Sequence, residues 1–125
     1  MARLTTHVLD LAAGRPAAGV TVELYFLEHQ GSPGGASETR RPLASAVTGE
    51  NGRPPRPLLE AASLPPGTYE LIFRLGSYFR ASGVALPEPA FLDRVPVRFG
   101  VSDPEGEYHV PLLVSPWGYS TYRGS

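Results

Sequence analysis

Residues 108–125 read YHVPLLVSPWGYSTYRGS, and the rest of the chain is interpreted outward from them. The stretch from Tyr108 is predicted to form a strand with two faces, one bearing Tyr108, Val110, Leu112 and Val114 and the other bearing His109, Pro111, Leu113 and Ser115. Pro116 interrupts the hydrogen-bonding ladder, and Tyr119–Tyr122 is predicted to form a last strand or extended arm. Because these aromatic side chains can pack and hydrogen-bond, we expect an ordered C-terminal segment, although terminal residues commonly fray.

Upstream segments show the same two-residue period. Leu4–Asp10 alternates so that Thr5, His7 and Leu9 share one face of a short strand. Further strands are predicted, in chain order, at Val20–Phe26, Leu43–Thr48, Tyr69–Arg74 and Leu92–Val101. Asp103–Gly106 is a turn signal, and it predicts an antiparallel return from the last of these strands to the strand that begins at Tyr108.

Glycine and proline separate these strands. The 125 residues include 14 Gly and 14 Pro, which favours an all-β domain with many turns over a helical bundle. Tyr78–Ala81 predicts one or two turns of helix with Ser77 as the N-cap, and Pro96 predicts an edge strand or a bulge. The pattern predicts a two-sheet antiparallel β-sandwich with one short helix, formed by a single domain over residues 1–125.

The segment Glu28–Pro42 is the weakest part of this pattern. It carries Gly and Pro among Ser and Glu residues and has little apolar surface to hold it against a core. We therefore expect a mobile surface loop in which His29, Arg40 and Arg41 are solvated.

Composition excludes several classes of function. The formal net charge is −1, from 11 basic and 12 acidic residues, so the chain lacks the basic surface of a nucleic-acid binder. It has no cysteine, which excludes disulfides and thiolate chemistry. No run approaches the roughly 20 apolar residues of a membrane span, and no signal peptide is visible, so we expect a soluble, cytoplasmic protein with no membrane partner.

Two histidines and an arginine are the candidate catalytic residues. His7 and His109 both project from predicted strands, and imidazole exchanges protons near neutral pH because its ordinary pKa is about 6.5. A single strand histidine is more commonly a structural residue, so each is weak evidence alone. Arg53 follows the Asn51-Gly52 turn and offers a fork of donors to an anion, with Arg56 as its competitor for that role.

Three portions of the chain resemble a known family. They are Leu4–Asp10, Thr48–Arg53, which reads Thr-Gly-Glu-Asn-Gly-Arg, and the C-terminal segment that ends Ser-Thr-Tyr-Arg-Gly-Ser. Together they resemble the transthyretin-related 5-hydroxyisourate hydrolases, and the resemblance spans essentially the whole chain. It implies the transthyretin (prealbumin)-like sandwich, and it implies a homotetramer whose sites lie at subunit interfaces.

The resemblance also implies a reaction. Water attacks the C6 carbonyl of 5-hydroxyisourate, a small-molecule substrate, and the N1–C6 bond opens. The product is 2-oxo-4-hydroxy-4-carboxy-5-ureidoimidazoline, an intermediate of urate degradation in purine metabolism. The implied catalytic residues are His7, Arg53, His109 and Ser125, and the implied substrate-binding residues are Arg53, Tyr122, Arg123 and Gly124.

The chemistry needs no cofactor, and no histidine spacing in the chain is typical of a metal site. Either His7 or His109 can be the general base, and the sequence leaves that choice open. Arg53 is expected to lower the proton affinity of both imidazoles, because a nearby positive charge disfavours a second one. A Ser115-His109-Asp103 triad is disfavoured because no nucleophile elbow surrounds Ser115.

One position departs from the family pattern. Many members have His-Tyr-His-Val where this chain has Glu107-Tyr108-His109-Val110, so a carboxylate replaces the first imidazole. Glu107 is expected either to tune His109 from the same strand face or to point to solvent. The alternative function is a non-catalytic transthyretin-like carrier of small ligands or a binding module, neither of which needs the histidines or the terminal tetrapeptide.

Overall fold

The computed structural model describes residues 1–30 and 37–125, except for the side chains of residues 29, 30 and 37. Nine strands and one short helix make up the regular structure of this part of the chain. The elements are β1 (Ala2–Asp10), β2 (Arg15–Pro16), β3 (Thr21–Gln30), β4 (Ser37–Val47), β5 (Leu59–Ala61), β6 (Gly67–Arg74), α1 (Leu75–Ala81), β7 (Arg94–Val101), β8 (Glu107–Ser115) and β9 (Gly118–Thr121).

The strands form two sheets. One has five strands in the order β2-β1-β8-β9, with β5 also paired to β1, and the other has the order β4-β3-β6-β7. All pairs are antiparallel except β1 with β8, which run parallel with Leu4 opposite Tyr108. This architecture confirms the predicted two-sheet sandwich with one short helix, and it adds a parallel pair that the sequence did not indicate.

An apolar core lies between the sheets. Alternate residues of β1 are buried, as its sequence pattern predicted, and the core cluster that contains Leu4 and Val8 also contains Leu24 of β3 and Leu112 of β8. Each fully buried leucine contributes about 1.5–3 kcal/mol relative to an exposed one. Because Leu4 and Val8 are held inward, the alternate side chains of β1 point away from the core, and Thr5 and His7 are among them.

The predicted antiparallel return after Asp103–Gly106 is wrong. The turn is present, because Gly106 N–H donates to the Asp103 carbonyl, but β7 belongs to one sheet and β8 to the other. The chain therefore crosses between the layers at this turn. Turn residues specify a local reversal, whereas the choice of partner strand depends on residues distant in sequence, here those of β1.

The predicted loop over Glu28–Pro42 is also wrong over most of its length. Glu28 pairs with Thr39 in a β3–β4 hairpin, and the ion pair between Arg41 and Glu28 spans 2.8 Å across it. Residues 31–36 and the side chain of His29 lie outside the described residues. Hydrophobic periodicity missed these strand ends because a cross-strand ion pair and the backbone ladder hold them.

The short helix begins earlier than predicted. It runs Leu75–Ala81, Arg74 occupies the N-cap position without a side-chain cap, and Ser77 lies inside the helix, so the predicted Ser77 cap is wrong. The prediction for Pro96 is confirmed, because β7 is an edge strand. Across the described parts of the chain, residues 1–30 and 37–125, no helix has the length and apolar character needed to traverse a membrane.

Candidate active site

The parallel pairing of β1 with β8 brings the two candidate histidines together. His109 is opposite Thr5, and His7 lies two residues further along β1 on the same outward face. Nδ1 of His7 is 2.7 Å from Nε2 of His109, and the stacked rings have centroids 4.8 Å apart. Both imidazoles are partly buried. The structure therefore places the two residues in one hydrogen-bonded pair.

Thr5 extends this pair into a row of three side chains. Its Oγ1 lies 2.7 Å from Nδ1 of His109. Since Nε2 of His109 meets His7, both nitrogens of the central imidazole have partners. Thr5 was not among the predicted site residues, although the alternation of Leu4–Asp10 had already placed it on the same strand face as His7.

Arg53 reaches the pair from the turn that follows β4. Val8 N–H donates to the carbonyl of Gly52 at 2.9 Å, which ties this turn to β1 beside His7. Gly52 has a φ of 78°, and a Cβ there would lie 2.5 Å from the Val8 carbonyl oxygen, so the turn requires glycine. Asn51 Oδ1 accepts from Arg53 N–H at 3.0 Å and completes the turn that presents the guanidinium.

The surroundings disfavour protonation of both imidazoles. Burial lowers the pKa of His7, and the adjacent His109 and Arg53 lower it further. Burial also lowers the pKa of His109, followed by the positive charge of Arg53. These causes have the direction expected for a cation beside a partly desolvated base. The pair is therefore neutral near pH 7 and can accept a proton.

The C-terminal residues pack directly on His109. Gly124 N–H donates to the His109 carbonyl at 2.7 Å. A Cβ on Gly124 would lie 2.6 Å from Cδ2 of the imidazole, so this close approach also requires glycine. Ser125 follows at the edge of a cavity of about 270 Å³ that Thr5, Arg53 and His109 also line. The predicted ordering of the chain end is confirmed at this contact.

Residues 4–124 match the model of the HIUase/Transthyretin family. The chain belongs to this family. A relative from Rhizobium meliloti (strain 1021), named 5-hydroxyisourate hydrolase 2, is 54% identical over 98% of this chain and 96% of its own length.

Two solved structures give the same assignment of fold. The 5-hydroxyisourate hydrolase of Klebsiella pneumoniae is 36% identical with a TM-score of 0.75, and each chain covers 100% of the other. The structure of an (S)-allantoin synthase has a TM-score of 0.84 at 40% identity over 99% of this chain. This chain spans only 44% of that protein, so the likeness concerns that part alone.

Two of the predicted substrate-binding residues lie away from the histidine pair. Tyr122 and Arg123 line a separate cavity of about 180 Å³, between β7 and the β8–β9 edge. The guanidinium of Arg123 lies 4.2 Å from the centroid of the Tyr108 ring and donates to the Glu107 carbonyl at 3.2 Å. Within one chain, the terminal signature of the HIUase/Transthyretin family is therefore divided between two cavities.

Glu107, the position at which the sequence was expected to depart from the family pattern, makes no hydrogen bond or ion pair with His109 among the described residues. It lies opposite Arg3, with Oε1 3.5 Å from Arg3 Nε, and its side chain is 69% exposed. Arg3 also pairs with Glu60 at 2.8 Å. Of the two expectations for Glu107, the structure matches the solvent-facing one.

The remaining candidates lie beside the pair or further away. Arg56 lines a neighbouring cavity of about 280 Å³ together with Arg53 and Thr5. Trp117 is 61% exposed, and its ring centroid is 5.9 Å from that of Phe91. Among residues 1–30 and 37–125, no group of three or more His, Asp or Glu side chains is arranged to hold a metal ion.

Proposed function

We propose that this chain catalyses the hydrolysis of 5-hydroxyisourate to 2-oxo-4-hydroxy-4-carboxy-5-ureidoimidazoline in urate degradation. The observation that carries the proposal is the hydrogen-bonded pair of His7 and His109 beside Arg53. It occurs in a chain 54% identical, over nearly its full length, to a protein named 5-hydroxyisourate hydrolase 2. A carrier of small ligands has no use for a pair of imidazoles held neutral next to a cation.

The pair would supply the base for the attacking water. Water must lose a proton as its oxygen bonds to the C6 carbonyl, and a neutral imidazole accepts that proton near pH 7. The N1–C6 bond then breaks, and the departing nitrogen takes up a proton. A positioned acid or base of this kind typically contributes roughly 10²–10⁴-fold to the rate.

Arg53 would bind the substrate and stabilise the oxyanion. Its guanidinium is exposed and offers a fork of donors that suits a planar anion. The same charge keeps the imidazoles unprotonated, because it lowers the pKa of both His7 and His109. Arg53 would thus both bind the substrate and keep the general base unprotonated.

The terminal residues would complete the site in different ways. Ser125 lines the cavity with His109 and can position water or substrate through its hydroxyl. Gly124 would allow the chain end to approach the imidazole. Arg123 stacks on Tyr108, and Tyr122 lines the same cavity, so these two would act on the substrate by fixing the terminal segment.

We further propose that the protein is a homotetramer with its sites where subunits meet. The outward face of the five-stranded sheet bears the candidate site and is only partly covered in the single chain, with Leu9 opposite Leu113 beside it. Trp117 and Tyr119 are also exposed, and exposed apolar residues that group together mark interaction surfaces. Light scattering at assay concentration should give four times the 13.4 kDa mass of the chain, and a monomeric mass would contradict this assembly.

The decisive experiment follows the ultraviolet absorbance of 5-hydroxyisourate generated from urate by uricase. The native chain should remove the substrate far faster than buffer, in which it decays unaided, and His109→Ala should remove it at nearly the buffer rate. His29→Gln is the matched control, because it removes the histidine that no proposed step uses. A folded native chain that only matches buffer would contradict the hydrolase and favour the ligand carrier, which binding measurements would then test.

A further inference from the structure

The Thr5 hydroxyl is one end of the row that includes the histidine pair. Its Oγ1 meets Nδ1 of His109 at 2.7 Å, and Nε2 of His109 meets Nδ1 of His7 at the same distance. Within the part of the chain that the structure describes, Nε2 of His7 has no hydrogen-bond partner. It is therefore the ring nitrogen of this pair that remains available to water or substrate.

The proton positions along this row depend on one another. A neutral imidazole has one N–H, so one of its nitrogens donates while the other accepts. If Thr5 accepts from Nδ1–H of His109, then Nε2 of His109 accepts from Nδ1–H of His7. Nε2 of His7 then carries a lone pair. If Thr5 donates instead, each role reverses, and Nε2 of His7 carries a proton.

Neighbouring hydroxyls already have other roles. Thr6 points to the opposite face and donates to the Val110 carbonyl at 2.6 Å, and Thr121 donates to the Pro111 carbonyl at 2.7 Å. Of the threonine side chains described, only Thr5 hydrogen-bonds to an imidazole. The direction of the hydrogen bond at Thr5 is therefore linked to whether Nε2 of His7 carries a lone pair or a proton.

We infer that Thr5 is a positioning residue that accepts Nδ1–H of His109 and thereby makes His7 the general base. This inference rests on the proposed function, because hydrolysis must begin with deprotonation of water. The electron pair of the broken O–H bond forms the new C–O bond, and the proton goes to Nε2 of His7. His7 then returns that proton to the ring nitrogen that departs from the C6 carbon.

The first test reads the tautomers in the resting protein. The chain has three histidines, and His29→Gln identifies the signals that do not belong to the pair. In ¹⁵N-histidine-labelled protein at about pH 8, above the ordinary imidazole pKa of about 6.5, two-bond ¹H–¹⁵N couplings distinguish the tautomers. We expect Nδ1–H on both His109 and His7. Nε2–H on His109 would overturn the inference.

The second test removes the hydroxyl and then restores it. Thr5→Val keeps the shape of the side chain, and we expect kcat to fall about tenfold while KM changes less than about twofold. Thr5→Ser should recover most of kcat. Thr6→Val is the matched control: it removes a neighbouring hydroxyl from the opposite face and should leave the tautomers of the pair unchanged.

The two tests separate the possible failures. An unchanged kcat in folded Thr5→Val, or no recovery in Thr5→Ser, would overturn the positioning role. If Thr5→Val does not fold, the tautomers of the native protein still decide the question. A native protein with Nδ1–H on both imidazoles but no hydrolysis would contradict the proposed function and, with it, the base assigned to His7.

Discussion

The charges on the four-stranded sheet and the charges beside the histidine pair are arranged in opposite ways. On the four-stranded sheet, the buried Glu70 meets Arg40 at 2.7 Å and Arg98 at 3.2 Å. Arg74 likewise pairs with Glu23 at 3.0 Å. Here opposite charges are matched, so each ionised group is stabilised by its neighbour. This face has the arrangement expected of a structural surface.

The five-stranded sheet has the reverse arrangement around His7 and His109. Arg53 lies near enough to lower the pKa of both imidazoles, and none of the ion pairs among the described residues includes Arg53. A cation beside a titratable base destabilises the protonated base. Groups with perturbed pKa values in a cleft are candidates for catalysis. The mismatch between Arg53 and the two imidazoles therefore distinguishes the histidine site from its surroundings, where Arg3 pairs with Glu60 and Glu107.

The largest effect should come from removing an imidazole. His7→Gln and His109→Gln should each lower kcat by roughly 10²–10⁴-fold, because each breaks the hydrogen-bonded pair that accepts the proton. The double variant should lose little more than either single variant, since the two residues act as a unit. Steady-state kinetics on 5-hydroxyisourate measures this, and multiplicative losses would indicate that the histidines act independently.

Removing the positive charge of Arg53 should have the next largest effect on catalysis. Arg53→Gln should lower kcat/KM by roughly 10²–10³-fold, as loss of an oxyanion donor typically does. Arg53→Lys keeps the charge but loses the fork, so it should recover only part of the activity. Arg56→Gln, which changes a neighbouring arginine at the same cavity, is the control. Equal losses in Arg53→Gln and Arg56→Gln would argue against a specific anchor.

Adding a single methyl group at Gly124 should also lower kcat. Gly124→Ala places a Cβ against the His109 ring, and a displacement of about 1 Å can cost about 10²-fold in kcat. Gly118→Ala is the matched control on β9, where a Cβ meets no atom within 4 Å. Similar kinetics for the two variants would show that the terminal segment does not fix the imidazole.

Removing a matched charge from the four-stranded sheet should change the free energy of unfolding and leave kcat unchanged. Glu70→Gln removes the buried carboxylate between Arg40 and Arg98, and we expect the free energy of unfolding to fall by about 1–2 kcal/mol. The value is modest because both arginines are half-exposed and can turn to water. Denaturant unfolding and kcat measure the two effects, and a tenfold loss of kcat in folded protein would remove the distinction between the faces.

Much of the fold and of the site was predictable from local pattern. Alternation in Leu4–Asp10 and Tyr108–Val114 placed His7 and His109 on strands, and the turn at Asn51-Gly52 located Arg53. The parallel pairing of these strands was not predictable, since its register joins residues about a hundred positions apart. The hydrogen bond between Thr5 and His109 depends on that register and could not be foreseen.

The errors have a common physical origin. The ends of β3 and β4 have a loop-like sequence because they are polar and are held by backbone pairing and by the ion pair of Arg41 with Glu28. The turn at Asp103–Gly106 has the sequence of a hairpin turn, although the chain changes sheets there. In both cases the deciding interaction crosses between strands, where periodicity along one strand carries no information.

The pH dependence of kcat/KM tests the central claim most directly, because it reports the proton affinity of the base in the free enzyme. The acidic limb belongs to the histidine pair as a unit. Its pKa should lie below 6.5 in the native protein, since burial and Arg53 lower the pKa of both imidazoles. In Arg53→Gln the limb should move to higher pH. A native limb at or above 6.5 that does not move in Arg53→Gln would contradict the account.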